Sequence, residues 1–332
     1  MSAPRVLIFS WEYPPVVEGG LARHVRKLSE QLVRDGVEVH VVTRGDRFRL
    51  PGEPLVPRAR LRRRYVSEPE ERHGVIVHRV REPDFPRDDV DAFIAWVEHM
   101  NEDMRAAGSE LGGGFDLVHS HDWLVAAAAR KLARRWKVPW LVTVHATEYG
   151  RHQGWVGKHP QSHIHGVERR MVRGADRVIT CSAYMREHVA GAFGIAAHRV
   201  TVIPNGIDPT DLQPVADLPR LRARFAAPDE TLVLLVGRLV YEKGFHLALE
   251  AMPALIERLG GVRFLVAGSG TAEAELKAQA RELGLMEHGT FVGWTGDDVL
   301  HSLYRIADLC LVPSIYEPFG LVALEAMASG CP

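Results

Sequence analysis

TLVLLVGRLVYEKG, residues 231–244, is the stretch that decides the fold. Its first six residues are apolar or β-branched, with no alternation toward polar positions. A run of that kind suits a strand buried on both faces. Gly237 ends the run, and a cationic pair, Arg238 and Lys243, follows at once. Three more such runs follow, VRFLVAGSG (262–270), GTFVGW (289–294) and DLCLVPS (308–314), with helical segments between. Strand and helix in alternation imply a parallel sheet covered by helices.

The same rhythm runs back to the N-terminus. RVLIFSW (5–11), VEVHVVTR (37–44), GVIVHRV (74–80), FDLVHSH (115–121), PWLVTVH (139–145), DRVITCS (176–182) and RVTVIPNG (199–206) read as strands. Leu21, Val25, Leu28 and Leu32 give one intervening helix an apolar stripe, and Gly36 ends it. Only IDPTDLQPVADLPRLRARFAAPDE (207–230), rich in Pro and Asp, breaks the pattern. The fold expected is α/β: two Rossmann-like parallel-sheet domains, 1–206 and 231–332, joined by a linker over 207–230. In such a pair a ligand is expected at the carboxyl ends of the strands, in the cleft between the domains.

Composition removes several classes. A net charge of −1 leaves no broad field to select nucleic acid or an anionic membrane. No apolar stretch approaches the roughly 20 residues of a membrane span, and Val6–Phe9 is too short for a signal segment. Cys181, Cys310 and Cys331 are odd in number and far apart. Cys181 and Cys310, in apolar strand-like runs, read as buried thiols of a reducing cytoplasm, and the chain is expected to be soluble and cytoplasmic. The arginine-rich run at 58–64 reads either as a solvated loop or as a contact for a polyanion or membrane surface.

Several groups could carry chemistry. Arg238 and Lys243 suit a diphosphate leaving group, a guanidinium fork and a point charge together, or they are surface cations. Gly19 and Gly20 follow the first strand and open a helix, where free amides make an anion site or simply a tight turn. Gly268 and Gly270 form half a dinucleotide fingerprint, and Glu273 stands where its third glycine would be, which disfavours NAD but leaves room for the base or ribose of a nucleotide donor. In YEPFGLVALE, Glu317 precedes a turn and Phe319, Gly320 and Leu321 begin a helix. Glu325 lies two turns further on, too far to touch the same atom as Glu317. The two acids could grip hydroxyls of a sugar and of a ribose, or merely favour a helix end and solvent. His119 and His121 alternate at one strand end and His145 closes the next. The pairs His119/His121 and His163/His165 have no third or fourth ligand at recognisable spacing, so no metal site is expected. Asp89 and Asp91 mimic an Asp-x-Asp metal motif but open an apparent helix, where acids favour the N-terminus.

Taken together, EPFGLVALE, GRLVYEKG, IPNGID and the early Gly-Gly helix resemble the retaining glycosyltransferases of family 4, which share the GT-B fold. WEYPP with GGLARHV, HSHDW and TVHATEYGRHQGW is most similar to its glycogen-synthase-like α-1,4-glucosyltransferase branch. The resemblance implies transfer of glucose from a nucleotide diphosphate sugar, ADP- or UDP-glucose, to the 4-hydroxyl of an α-glucan, without a metal or other cofactor. It implies that Arg238 and Lys243 hold the donor diphosphate, Glu317 and the amides of Phe319, Gly320 and Leu321 bind the donor sugar, and Glu325 binds the ribose. His145 would sit beside the donor sugar with Asn205 near it. Glu12, His121, Asp122 and Trp123 would face the acceptor. Two departures stand out. Val17 replaces the lysine of the Lys-x-Gly-Gly-Leu run of bacterial glycogen synthases, which fits family 4 better than a simple ADP-glucose enzyme. Relatives continue past Pro332 with a further strand, a loop and a terminal helix, so the C-terminal domain is expected to be truncated. Rival readings are mannosyl transfer to a lipid, a non-catalytic nucleotide-sugar or glucan binder, and an epimerase. Neither the donor base nor the oligomeric state is legible.

Overall fold

The computed structural model describes residues 3–45, 69–80, 89–215 and 217–332. The arginine-rich run at 58–64 lies outside them. The chain divides into two compact units, Met1–Pro204 and Asn205–Pro332.

The first unit contains, in order, β1 (Arg5–Phe9), α1 (Gly20–Arg34), β2 (Glu38–Arg44), β3 (Glu70–Arg72), β4 (Val75–Val80), α2 (Val90–Glu110), β5 (Leu117–His121), α3 (Ala126–Trp136), β6 (Trp140–Val144), α4 (Glu148–Arg151), α5 (Gln161–Gly174), β7 (Arg177–Thr180), α6 (Ala183–Phe193) and β8 (Val200–Val202). The strands form one sheet in the order β3-β4-β2-β1-β5-β6-β7-β8. All pairs are parallel except β3 with β4. The unbroken apolar runs explain this. Val6 and Ile8 of β1 join Val39, Val41, Val75 and Val77 in a core that takes Leu21, Val25 and Leu32 of α1. Leu7 and Phe9, on the opposite face, are also fully buried. There Gly108 of α2 admits Leu132 and Phe9, since a Cβ would lie 2.5 Å from Leu132 Cδ1. Each such apolar side chain contributes on the order of 1.5–3 kcal/mol by burial. Asp89 caps α2, its carboxylate accepting from the Ala92 amide at 3.0 Å, which is the helix-opening role its position suggests.

The second unit contains α7 (Leu218–Arg222), β9 (Thr231–Val236), α8 (Phe245–Leu259), β10 (Val262–Ala267), α9 (Glu273–Glu282), β11 (Gly289–Gly293), α10 (Asp297–Ile306), β12 (Leu309–Cys310) and α11 (Leu321–Ala328). Its parallel sheet runs β11-β10-β9-β12. Here too β9 is split between two cores. Val233 and Leu235 pack with α8 and α9, whereas Leu232 and Leu234 pack with Leu303, Tyr304, Ile306 and Ala326. The stretch read as a linker is partly structural: Leu218, Leu221 and Phe225 pack against that second core.

Candidate active site

In the first unit the expected residues gather where β1, β5 and β6 end. Glu12 follows β1 and is 3% exposed. Its Oε2 accepts from the amides of Glu18 (2.7 Å) and Gly19 (3.0 Å) at the head of α1. Glu12 is thus buried against the start of α1, and the Gly19 amide, expected to meet a ligand, meets the Glu12 carboxyl. The physical reason is that unpaired helix-start amides attract any carboxylate within reach. Burial nevertheless pushes the Glu12 carboxyl up, against the lowering effect of those amides and of Arg44. Gly20 remains exposed as the first residue of α1.

His121 closes β5 and His145 follows β6, and the parallel register sets the two ends side by side. His121 Nδ1 and His145 Nε2 are 3.0 Å apart, with rings stacked at 5.3 Å. His24 of α1 packs edge-on against both, at 5.6 Å from His121 and 4.8 Å from His145. His119 lies 4.3 Å from the His121 ring, and its Nε2 meets Thr143 Oγ1 at 2.7 Å. Burial dominates their acidity. It holds His24 and His119 down to about 3 and His145 to about 4, with His121 well below its usual value. All four are therefore neutral at pH 7.

Asp122 is the hinge of this cluster. Its backbone stands at φ 58°, ψ −179°, a region almost reserved for glycine, at a cost of order 1–3 kcal/mol. Its Oδ1 accepts from the His145 amide at 2.8 Å. Asp122 thus positions the backbone of His145. Trp123 begins a single 3-10 turn and packs edge-on against Phe93 at 6.2 Å.

Beneath α4 lies a group the sequence reading missed. Both carboxylate oxygens of Glu168 accept from the Glu148 amide, at 2.9 and 3.2 Å. Glu168 is 3% exposed, and burial, aided by Glu148 and Asp122, pushes its carboxyl up to about 8. Thr147 caps α4 and its hydroxyl meets His188 at 2.7 Å. His24 was missed as well. Its only sequence signal is a histidine interrupting the apolar stripe of Leu21, Val25 and Leu28.

In the second unit the cationic and acidic motifs meet. Gly244, at φ +67°, ends a 3-10 turn carrying Lys243 and leads into α8. Lys243 Nζ lies 2.7 Å from Glu317 Oε2, which also accepts from Ser314 Oγ at 3.0 Å. The amides of Ile315 and Tyr316 donate to the Glu242 carbonyl, tying the two loops together. Arg238 is exposed, 3.8 Å from Glu242. Gly320, at φ +92°, caps α11, with Phe319 and Leu321 half-buried beside it. Asn205 opens the unit in the loop after β8.

Glu325 is 8% exposed and its Oε2 accepts from the buried Tyr304 hydroxyl at 3.0 Å. Its place one turn after Leu321 on a short helix puts it on the packed face beside Ala326. There it is held by Tyr304 and largely buried. Gly268 has a backbone reason to be glycine: a Cβ would lie 1.9 Å from the Gly237 carbonyl oxygen. The close packing of two chain turns, β9's and β10's, accounts for it without a nucleotide.

Two parallel-sheet units of this kind, with a basic strand-end loop meeting an acid-led helix, define a GT-B glycosyltransferase. Residues 18–211 match Glycosyltransferase Family 4 and residues 219–332 match Glycosyl transferases group 1. The chain belongs to glycosyltransferase family 4. It is 40% identical to a glycogen synthase of Mycobacterium tuberculosis over 99% of this chain and 77% of that one. It is 31% identical to a D-inositol 3-phosphate glycosyltransferase of Acidothermus cellulolyticus, over 95% of this chain and 69% of that one. Among solved structures it resembles sucrose-phosphate synthase of Thermosynechococcus elongatus, with TM-score 0.77 and 27% identity, covering 99% of this chain and 80% of that one. No helix among the described residues is long and apolar enough to cross a membrane.

Proposed function

We propose that this glycosyltransferase moves glucose, with retention, from ADP- or UDP-glucose to the 4-hydroxyl of an α-glucan. The observation that carries the reading is the Lys243–Glu317 contact of 2.7 Å. It joins the cation suited to a departing diphosphate to the acid suited to sugar hydroxyls. Similarity to a glycogen synthase supports glucose and glucan as the substrates.

In the reaction, the bond from the sugar's anomeric carbon to the diphosphate oxygen breaks and a bond to the acceptor oxygen forms on the same face. Arg238 and Lys243 stabilise the negative charge that develops on the leaving group. Glu317, with the amides of Phe319, Gly320 and Leu321, orients the hexose. The acceptor proton passes to the departing phosphate oxygen. Neutral His145, held by Asp122, supplies a hydrogen bond beside the donor sugar. Glu325 acts from beneath, holding α11 through Tyr304. On this reading the two cations do the work a divalent metal does elsewhere, and turnover needs none.

The test is one panel: ADP-glucose, UDP-glucose and GDP-mannose, each with maltooligosaccharide, with inositol phosphate, with a lipid acceptor and with no acceptor. Elongated maltooligosaccharide supports the proposal. Product only with inositol phosphate or lipid, a changed nucleotide sugar without acceptor, or binding without product replaces it.

A further inference from the structure

We propose that His24, His121 and His145 form a binding site for one divalent ion of the imidazole-preferring class, zinc foremost. The three side chains come from separate elements: the first turns of α1, the end of β5 and the residue after β6. One ligand atom from each lies within 4.8 Å of the others. His121 Nδ1 and His145 Nε2 hydrogen-bond at 3.0 Å, which gathers the two rings and leaves Nε2 as the nitrogen that His121 offers. His121 Nε2 is buried and has no hydrogen-bond partner among the described residues. An orphaned polar atom at full burial carries a desolvation cost that a ligand removes.

Neutral imidazoles present their lone pairs directly, the protonation state that a metal ligand needs. His119 stays out of the ligand set because Thr143 engages its Nε2. Asp122 fixes the backbone of His145 through its amide, which holds that residue beside His121. His24 and His145 are partly exposed, which gives the ion a route in. Three nitrogens are the set that zinc takes while keeping one position for water or another oxygen. An all-imidazole set excludes magnesium and calcium, which demand oxygen ligands. Because the ion would engage His145, zinc should inhibit transfer. That consequence alone rests on the function proposed above; binding itself does not.

The test uses the whole chain, stripped with chelator and titrated with cobalt(II), followed by its visible d–d absorption, then with zinc by calorimetry. One equivalent of cobalt with an absorption typical of low coordination number is expected, displaced by zinc. His24→Gln and His121→Gln should each weaken binding more than about tenfold, the least that loss of even an outer partner costs at such sites. His163→Gln, in the other H-x-H pair, should leave it unchanged. Thermal melting of the metal-free variants establishes that they are folded. If a variant fails to fold, the zinc-edge absorption spectrum of the wild-type complex decides: three imidazoles are expected. No stoichiometric binding, undiminished binding in folded His24→Gln, or an edge spectrum with one imidazole or none overturns the site.

Discussion

Lys243 Nζ and Glu317 Oε2, separated by 74 positions in the chain, stand 2.7 Å apart in the second unit. Both side chains are about a quarter exposed, so the pair adds at most about 1 kcal/mol to stability. Its importance is positional. Lys243→Ala should therefore melt within a few degrees of wild type yet lose transfer. Removing one preorganised partner of a developing negative charge costs about 2–4 kcal/mol. Turnover within a few-fold of wild type would sink the assignment.

Glu168 makes stability depend on pH. Its folded carboxyl titrates near 8 against an ordinary 4.5, so between those values the folded protein holds a proton that the unfolded chain has released. Stability from this group is full below pH 4.5 and is lost as pH rises through about 8, at roughly 1.4 kcal/mol per pH unit at most. Glu168→Gln, a neutral isostere, should flatten that slope. Melting temperatures of the two proteins from pH 5 to 9 should converge in acid and separate in base, with the variant the more stable.

Two glycines separate packing from ligand approach. Gly268→Ala forces a Cβ to within 1.9 Å of the Gly237 carbonyl at φ +139°, and should cost about 3 kcal/mol or more. Gly19 has extended backbone and open space around a Cβ. Gly19→Ala should change stability by no more than about 0.5 kcal/mol, while raising the donor KM if a phosphate or sugar approaches α1 there. Chemical denaturation and steady-state kinetics distinguish the two effects.

Tyr304 is fully buried and donates to Glu325. Tyr304→Phe keeps the ring but deprives a buried carboxylate of that donor, a loss of about 1–3 kcal/mol. Since the bond sits beneath α11, donor affinity should fall along with stability. An unchanged denaturation midpoint would contradict the placement of Glu325 in the core.

Much of this was legible beforehand, and for a definable reason. In a strand, residue type reports burial with a period of two, so runs such as TLVLLV identify strands buried on both faces without knowledge of their neighbours. The parallel order follows, because helices alternate with those strands. The motif residues at strand ends, Arg238, Lys243, His121 and His145, were legible too, since in such a sheet the carboxyl ends carry the chemistry. Residues whose partners are far away in sequence were not. Nothing near Glu12 reveals that it bonds the amides six and seven positions on. Nothing near Glu325 reveals Tyr304.

The sequence by itself thus determined the alternation of elements, the two units and the residue types available at each strand end. The tertiary structure alone decided where each charge is spent. Glu12 and Glu325 turn inward, Asp122 holds a backbone amide, and His24 joins two histidines about a hundred positions away. Hydrogen bonds and coordination act over about 3 Å, and that distance is set by packing between elements, which no local pattern encodes.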